Sequence, residues 1–136
     1  MSDLPQDHLR IARRKLRAAR SLFADQLPEE AAGDAYFAML YAARAALAER
    51  GQFAKTHHGA WVLFAQFFVK TGLVDKPQYD AAQRAMELRT AADYWGGGAT
   101  TAEAQDTIRD AESFIEEVIK VAGLGDDPAG GTLDHW

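Results

Sequence analysis

Apolar residues recur every three or four positions along most of this chain, which is the period of an amphipathic helix. The pattern occupies five stretches, approximately residues 5–25, 29–50, 56–71, 75–95 and 101–122. No stretch alternates apolar and polar residues in the way that a half-buried strand does. Because the connections are short and the apolar faces are broad, we predict an all-α fold in which five helices form an up-and-down bundle.

Turn and capping residues mark where the predicted helices begin and end. Pro28 disfavours helical geometry in the residue before it, so the first helix should end there. Gly51 and Gly123 suit the left-handed conformation that often follows a helix. Thr100 and Glu103 have the spacing of a capping box at the start of the fifth helix. The helix boundaries therefore follow from backbone chemistry as well as from the apolar period.

The middle of the second helix, residues 35–47, is apolar nearly all round. A helix of that kind is surrounded by neighbours, and its alanines let other backbones approach closely. A chain of 136 residues is long enough for one domain with a substantial core, which we place at residues 5–123. Residues 124–136 are rich in glycine and aspartate, and we predict that they form a disordered tail.

Composition mainly excludes classes of protein and of site. Apolar residues make up 48% and charged residues 26%, as in ordinary globular domains. The chain has no cysteine, which excludes disulfides and thiolate metal sites. The adjacent His57 and His58 point to different sides of a helix and cannot form a two-histidine metal site, so we predict neither a metal nor another cofactor. Without a membrane-spanning run or a signal-peptide pattern, we expect a cytoplasmic protein that does not bind membranes.

Charge is distributed unevenly along the chain, whose net charge is −5. Six basic residues and no acidic one lie between positions 10 and 20: Arg10, Arg13, Arg14, Lys15, Arg17 and Arg20. Residues 101–136 carry nine acidic side chains against two basic ones. The basic helix could follow a phosphate backbone. Alternatively, it lies beside the acidic last helix and the two neutralise each other.

The fourth predicted helix carries two opposite charges on a face that is otherwise apolar. Arg89 and Asp93, four residues apart, continue the stripe that begins near Tyr79. An ion pair on a core-facing stripe is costly unless hydrogen bonds satisfy it, which makes this pair a candidate site. The alternative is an ion pair that only fixes the position of the helix.

A second candidate cluster opens the third helix, where Lys55 and Thr56 precede His57 and His58. Backbone amides at a helix start, together with a lysine and histidines, can receive a phosphate or carboxylate. The alternative is that Thr56 caps the helix while His57 packs against a neighbour.

Polar side chains also interrupt the apolar second helix. If Tyr36 and Arg44 are buried they need hydrogen-bond partners, and Glu87 or Asp93 would serve. These tyrosine and arginine side chains are either satisfied core residues or part of one pocket, whose members would be Tyr36, Arg44, His57, Arg89 and Asp93. The residues that we predict to bind a ligand are Lys55, Tyr36, Arg44 and Glu87.

Four segments together resemble the HEPN domain: residues 35–45, 55–57, 68–72 and 87–94. The resemblance is to small stand-alone prokaryotic members, and it covers about residues 8–122. It implies an antiparallel up-and-down four-helix bundle with one additional helix. It also implies a homodimer, often encoded beside a minimal nucleotidyltransferase as a toxin–antitoxin pair.

Many HEPN proteins are metal-independent endoribonucleases, in which an arginine is followed after four to six residues by a histidine. RNA supplies the attacking 2′-hydroxyl, so the protein moves protons and stabilises the crowded phosphorane. Arg89 matches that arginine, but Tyr94 follows Asp93 where the histidine is expected. Because the unperturbed pKa of tyrosine is about 10, Tyr94 is a poor base, and His57 is the histidine that could substitute. The resemblance thus implies a catalytic set of Arg89, Asp93, Tyr94 and His57, and it compares Tyr94 with tyrosines to which a partner enzyme transfers AMP.

We therefore expect a component of a toxin–antitoxin or nucleotidyltransferase-linked system that binds RNA or a nucleotide. Arg89 would bind phosphate, Asp93 would orient it, and Tyr94 or His57 would exchange protons. One alternative is a metal-independent endoribonuclease toxin. Another is a non-catalytic dimer that binds a partner protein, or in which Arg89 and Asp93 only lock the bundle.

Overall fold

The computed structural model describes residues 4–95 and 98–125, apart from the side chains of residues 92–95. Within these ranges the chain forms helices joined by short turns, without a strand. The helices are α1 (Pro5–Ala24), α2 (Pro28–Glu49), α3 (His57–Phe64), α4 (Lys76–Trp95) and α5 (Thr101–Ala122). A π-helical segment, Ala65–Val69, continues α3. The predicted all-α bundle of five helices is confirmed, and the helix bounds agree with the apolar pattern to within a few residues at most positions.

Helix α2 lies at the centre of the bundle and contacts the four other helices. Ala35, Ala38 and Ala42 on this helix are all 0% exposed, and side chains this small let neighbouring backbones approach closely. Phe37, Tyr41 and Arg44 are exceptions to the predicted all-round burial, because each keeps part of its surface exposed. None of the helices in the described ranges is both long and apolar enough to cross a membrane.

Helix α1 packs mainly against α2 through a stripe that includes Leu9 and Leu16, both 0% exposed. The helix also contacts α5, where Arg20 forms an ion pair with Glu112. One pair between the basic and the acidic helix therefore supports the predicted neutralisation. The neutralisation does not extend to Arg14 and Arg17, which are exposed and form no ion pair within the described residues.

The third predicted helix differs from the expectation in two ways. The apolar period predicts an inward face that Trp61, Phe64 and Phe68 form, whereas Val62 in the same apolar run is 49% exposed. From Ala65 onward the backbone is π-helical, which adds a residue to the turn and changes the direction of later side chains. Phe64 and Phe68 both reach the core, with the centroids of their stacked rings 5.1 Å apart.

The ends of α5 follow the capping chemistry predicted for them. Thr100 Oγ1 accepts from the Glu103 amide at 3.1 Å, and the Glu103 carboxylate accepts from the Thr100 amide at 2.9 Å. Gly123 has the left-handed φ of +68°. Leu124, the first residue of the predicted tail, is 6% exposed, and its carbonyl accepts a hydrogen bond from Gln6 at 2.9 Å. Positions 126–136 of that tail lie outside the described residues.

Candidate functional site

The guanidinium group of Arg89 lies over two aromatic rings of α2. Its central carbon is 4.7 Å from the centroid of the Phe37 ring and 5.9 Å from that of Tyr36. Ala82 and Ala85, earlier on the same helix, are buried against the bundle, so α4 carries Arg89 toward α2. A cation over an aromatic ring gains about 0.5–2 kcal/mol, more as water is excluded. The rings therefore hold the guanidinium in place beside the bundle core.

Phe37 is the centre of a group of basic side chains that come from three helices. Lys15 Nζ of α1 lies 5.7 Å from the ring centroid. The imidazole of His57 in α3 meets the Phe37 ring edge to face, with centroids 5.7 Å apart. Together with Arg89 of α4, these residues place three nitrogen-bearing groups around one half-buried ring. We call Arg89, Lys15, His57 and Phe37 the basic cluster.

A hydrogen-bonded chain connects the basic cluster to the core. Trp61 Nε1 donates to the hydroxyl of Tyr36 at 3.2 Å, and that hydroxyl lies 3.4 Å from His57 Nδ1. The indole can only donate, and Tyr36 is 0% exposed, so its own hydroxyl hydrogen needs an acceptor inside the protein. His57 Nδ1 is the acceptor that the described residues offer. The arrangement therefore favours the neutral tautomer of His57, in which Nε2 carries the hydrogen.

The electrostatics of the site agree with this protonation pattern. Burial lowers the pKa of His57 below its usual range, and the positive charges of Arg89 and Arg44 lower it further. Burial raises the pKa of Tyr36, while the hydrogen bond from Trp61 and the two arginines oppose that rise. At neutral pH His57 is therefore uncharged and Tyr36 is protonated. The imidazole can offer Nε2–H as a donor without carrying a charge.

Arg89 also borders a cavity of about 540 Å³ between α1, α2 and α4. Besides Arg89, its wall contains apolar and acidic side chains: Leu22, Ala32, Phe37, Leu88, Glu29, Glu30 and Asp34. Tyr36 and His57 do not line this cavity. Because three carboxylates repel a phosphate, an anion bound by Arg89 is favoured on the side of Lys15 and His57.

The remaining candidates of the sequence analysis lie in different places. Arg44 donates to the carbonyl of Ala54 at 2.7 Å, so it is anchored to the backbone and influences the site only through its charge. Lys55 is exposed at the start of α3, and no contact within the described residues joins it to the basic cluster. Thr56 caps α3 by accepting from the amide of Gly59 at 2.9 Å, which is the alternative considered for this segment.

Glu87 lies away from Arg89, because residues two apart on a helix do not face each other. It is exposed and lines a separate groove of about 430 Å³ between α4 and α5, with Arg84 and Asp110. Asp93 follows Arg89 by one turn of α4, and Tyr94 comes next. The side chains of both lie outside the described residues, so the predicted Arg89–Asp93 pair remains a prediction.

Sequence reasoning missed Lys15 and Phe37 as site residues. Phe37 stands in an apolar run, where nothing distinguishes a ring that contacts cations from a ring of the core. Lys15 is one of several basic residues in α1, and its position on the stripe of Ile11, Ala18 and Leu22 was the available signal. Among the described residues, no three histidine or carboxylate side chains come together as ligands for a metal ion.

Comparison of the sequence with known protein families identifies the class of protein to which this helical bundle belongs. The sequence profile of the HEPN domain matches residues 5–121, so the chain belongs to the HEPN domain family. The resemblance to small prokaryotic HEPN proteins is thereby confirmed.

Three relatives are similar to the chain over most of its length. It is 31% identical over 112 residues to the protein named "Putative toxin MJ0605" of Methanocaldococcus jannaschii, an alignment that covers 82% of this chain and 84% of the relative. It is 32% identical over 115 residues to a protein of Thermotoga maritima named "UPF0332 protein", covering 82% and 86%. It is 30% identical over 118 residues to "UPF0332 protein glr0978" of Gloeobacter violaceus, covering 85% and 94%.

Proposed function

We propose that this protein is a toxin-like HEPN protein that binds phosphate groups of RNA or of a nucleotide at the basic cluster. The name of the Methanocaldococcus relative supports the toxin-like character. The observation that supports a phosphate ligand is that Arg89, Lys15 and His57 all contact the Phe37 ring. A guanidinium fork, an ammonium group and a neutral imidazole N–H are all donors, and phosphate oxygens are acceptors.

The tautomer of His57 favours binding over proton abstraction. To start RNA cleavage, a base must take the proton of the 2′-hydroxyl. With Nδ1 occupied by the Tyr36 hydroxyl, His57 presents Nε2–H, which donates to a phosphate oxygen but accepts nothing. In this protonation state the site is complementary to a bound phosphate. It is not prepared to activate a hydroxyl group.

A second candidate function is a metal-independent endoribonuclease, and the lowered pKa of His57 favours it. Rotation of the Tyr36 hydroxyl would let His57 carry its hydrogen on Nδ1 and use Nε2 as the base, although the buried Tyr36 hydroxyl hydrogen would then lose Nδ1 as its acceptor. Removal of a general base typically costs about 10²- to 10⁴-fold in rate, so His57→Ala should reduce cleavage by that factor. Asp93 and Tyr94 stay in this proposal as groups that orient Arg89 and exchange a proton.

The partners in this proposal are those that the resemblance to HEPN proteins implies. The protein would act as a homodimer, with a minimal nucleotidyltransferase as its partner protein. Tyr94 is the candidate acceptor of an AMP group from that partner. A non-catalytic dimer that binds only a partner protein is the remaining alternative.

Two arginines of α4 provide a matched test of phosphate binding. Arg89 belongs to the basic cluster, whereas Arg84 is exposed beside Asp110 in the groove between α4 and α5. Calorimetry with AMP, in a buffer that contains a chelator, should show binding by the wild type and by Arg84→Ala. Arg89→Ala should lose at least about tenfold in affinity, since charge-assisted hydrogen bonds are among the stronger ones. Equal affinities of the two variants, at unchanged helicity, would contradict the proposal.

The same variants separate binding from cleavage. Structured RNA incubated with wild type in chelator should remain intact if the protein only binds it. Cleavage that disappears in both Arg89→Ala and His57→Ala, but persists in Arg84→Ala, would instead establish the endoribonuclease.

A further inference from the structure

The exposed surface of α1 continues the basic cluster. Arg14 and Arg17 are exposed, and Lys15 beside them reaches the Phe37 ring. Arg14 and Lys15 also line a concavity of about 280 Å³ together with Ile11 and Ala18. Lys15 therefore belongs both to the cluster around Arg89 and to the surface of α1. We call Arg14, Lys15 and Arg17 the α1 basic face.

The charges of the α1 basic face are not neutralised within the described part of the chain. Arg20 pairs with Glu112 and Arg10 pairs with Asp7, whereas none of the three residues of the face forms an ion pair there. No acidic residue interrupts positions 10–20. The acidic charges that make the whole chain negative thus lie elsewhere, and α1 keeps a local positive potential.

The spacing of these side chains suits a strand of phosphates better than a single anion. Three residues of helix advance by about 4.5 Å, so Arg14 and Arg17 present two separate charges along one line. A single nucleotide at Arg89 would leave them without a ligand. A strand that places one phosphate at Arg89 and further phosphates along α1 would contact all of them.

We infer that the α1 basic face binds consecutive phosphates of an RNA strand whose end or bend enters the basic cluster. The preferred ligand of this protein is then an oligonucleotide, and a mononucleotide binds more weakly because it contacts the basic cluster alone. This inference rests on the proposed function, because the position of the RNA strand on the protein depends on the phosphate that Arg89 binds. Arg14 and Arg17, three residues apart, share one line along α1, and Arg14 joins Lys15 in the concavity described above. Because Lys15 is shared with the basic cluster, we favour RNA over an acidic protein helix, which would cover α1 without reaching Arg89.

The test compares a nucleotide with an oligonucleotide on the full chain. The probes are AMP, followed by calorimetry, and a fluorescein-labelled single-stranded RNA of mixed sequence and about twelve nucleotides, followed by anisotropy. The variant Arg14→Ala/Arg17→Ala removes two charges from the α1 basic face. The control Lys70→Ala/Arg109→Ala removes two exposed charges from elsewhere, so the net charge of the two proteins is equal. Circular dichroism and sedimentation accompany each measurement.

We expect the wild type to bind the RNA at least about tenfold more tightly than AMP at low salt. The α1 variant should lose most of that advantage and should bind AMP as the wild type does. The slope of log K against log salt should become less steep by about 1.4, because each single-strand phosphate contact contributes about 0.7. The control variant should keep the wild-type slope.

Several results would overturn the inference. One is an α1 variant that binds RNA as the control does. Another is a wild type whose RNA affinity does not exceed its AMP affinity. A third is loss of a dimer in the α1 variant alone, because the face would then be a subunit interface. A wild type that binds neither probe contradicts the proposed function itself, and so does AMP binding that is insensitive to Arg89→Ala.

Discussion

Replacement of Tyr36 by phenylalanine tests the hydrogen-bonded chain that fixes His57. The variant keeps the aromatic ring and its packing, so little cavity volume is created. It removes the acceptor of the Trp61 indole, which is 1% exposed and 3.2 Å from the lost oxygen. A buried donor without a partner costs about 1–3 kcal/mol. His57 is only half-buried, so water can replace the lost contact at Nδ1 at little cost.

The expected result is therefore a decrease of about 1–3 kcal/mol in the free energy of unfolding, measured by urea denaturation. Tyr79→Phe is the matched control, because the Tyr79 ring also contacts Trp61 and its hydroxyl makes no hydrogen bond within the described residues. This control should change stability by less than about 0.5 kcal/mol.

Nuclear magnetic resonance of the imidazole nitrogens provides the second measurement on Tyr36→Phe. Wild-type His57 should give the pattern of the Nε2–H tautomer, and the variant should give a mixture of the two tautomers. If Tyr36→Phe and Tyr79→Phe are equally stable and the His57 pattern is unchanged, the hydrogen-bonded chain does not set the tautomer.

Three further predictions concern the pH dependence and the fold. Because burial and neighbouring arginines lower the pKa of His57, the imidazole binds a proton more readily in the unfolded chain than in the folded one. The contribution of His57 to the unfolding free energy should therefore be complete above about pH 6.5 and decrease at lower pH. Urea titrations between pH 8 and 5 should show a smaller decrease for His57→Gln than for the wild type. Thr100→Ala should lower the unfolding free energy by about 0.5–2 kcal/mol, because the helix loses its cap. A decrease of more than a few tenths of a kcal/mol in Thr101→Ala would contradict the assignment of Thr100 as the capping residue. Leu16→Ala should cost about 2–5 kcal/mol, and Leu27→Ala, at a side chain that is 41% exposed, should cost much less in the same assay.

The fold was predictable from the sequence because each helix carries its own local signals. Leu9 and Leu16 fall on one stripe of α1, and Thr100 and Gly123 bracket α5, so period and capping agree. The π-helical segment after α3 was not predictable, because a change of hydrogen-bond partner leaves no mark on composition. The exposure of Val62 was not predictable either, because the apolar run around it concealed its outward position.

The candidate site was predictable only in its polar members. Arg89 and His57 stand out because a charge on an apolar stripe and a histidine at a helix start are unusual. Phe37 and Lys15 are ordinary within their segments, and only the crossing of α1 over α2 brings them together. Glu87, expected as a partner of Tyr36 or Arg44, lines the groove between α4 and α5 instead, and its role in ligand binding stays a prediction.

The pKa of His57 in the presence and absence of bound RNA tests phosphate binding at the basic cluster most directly. A phosphate within hydrogen-bond distance of the imidazole favours its charged form, so saturation with the twelve-nucleotide RNA should raise the pKa of His57 by about one pH unit or more. In Arg89→Ala the same addition should leave it nearly unchanged. If RNA binds the wild type and the His57 titration stays where it was, the ligand lies elsewhere and the basic cluster is not its site.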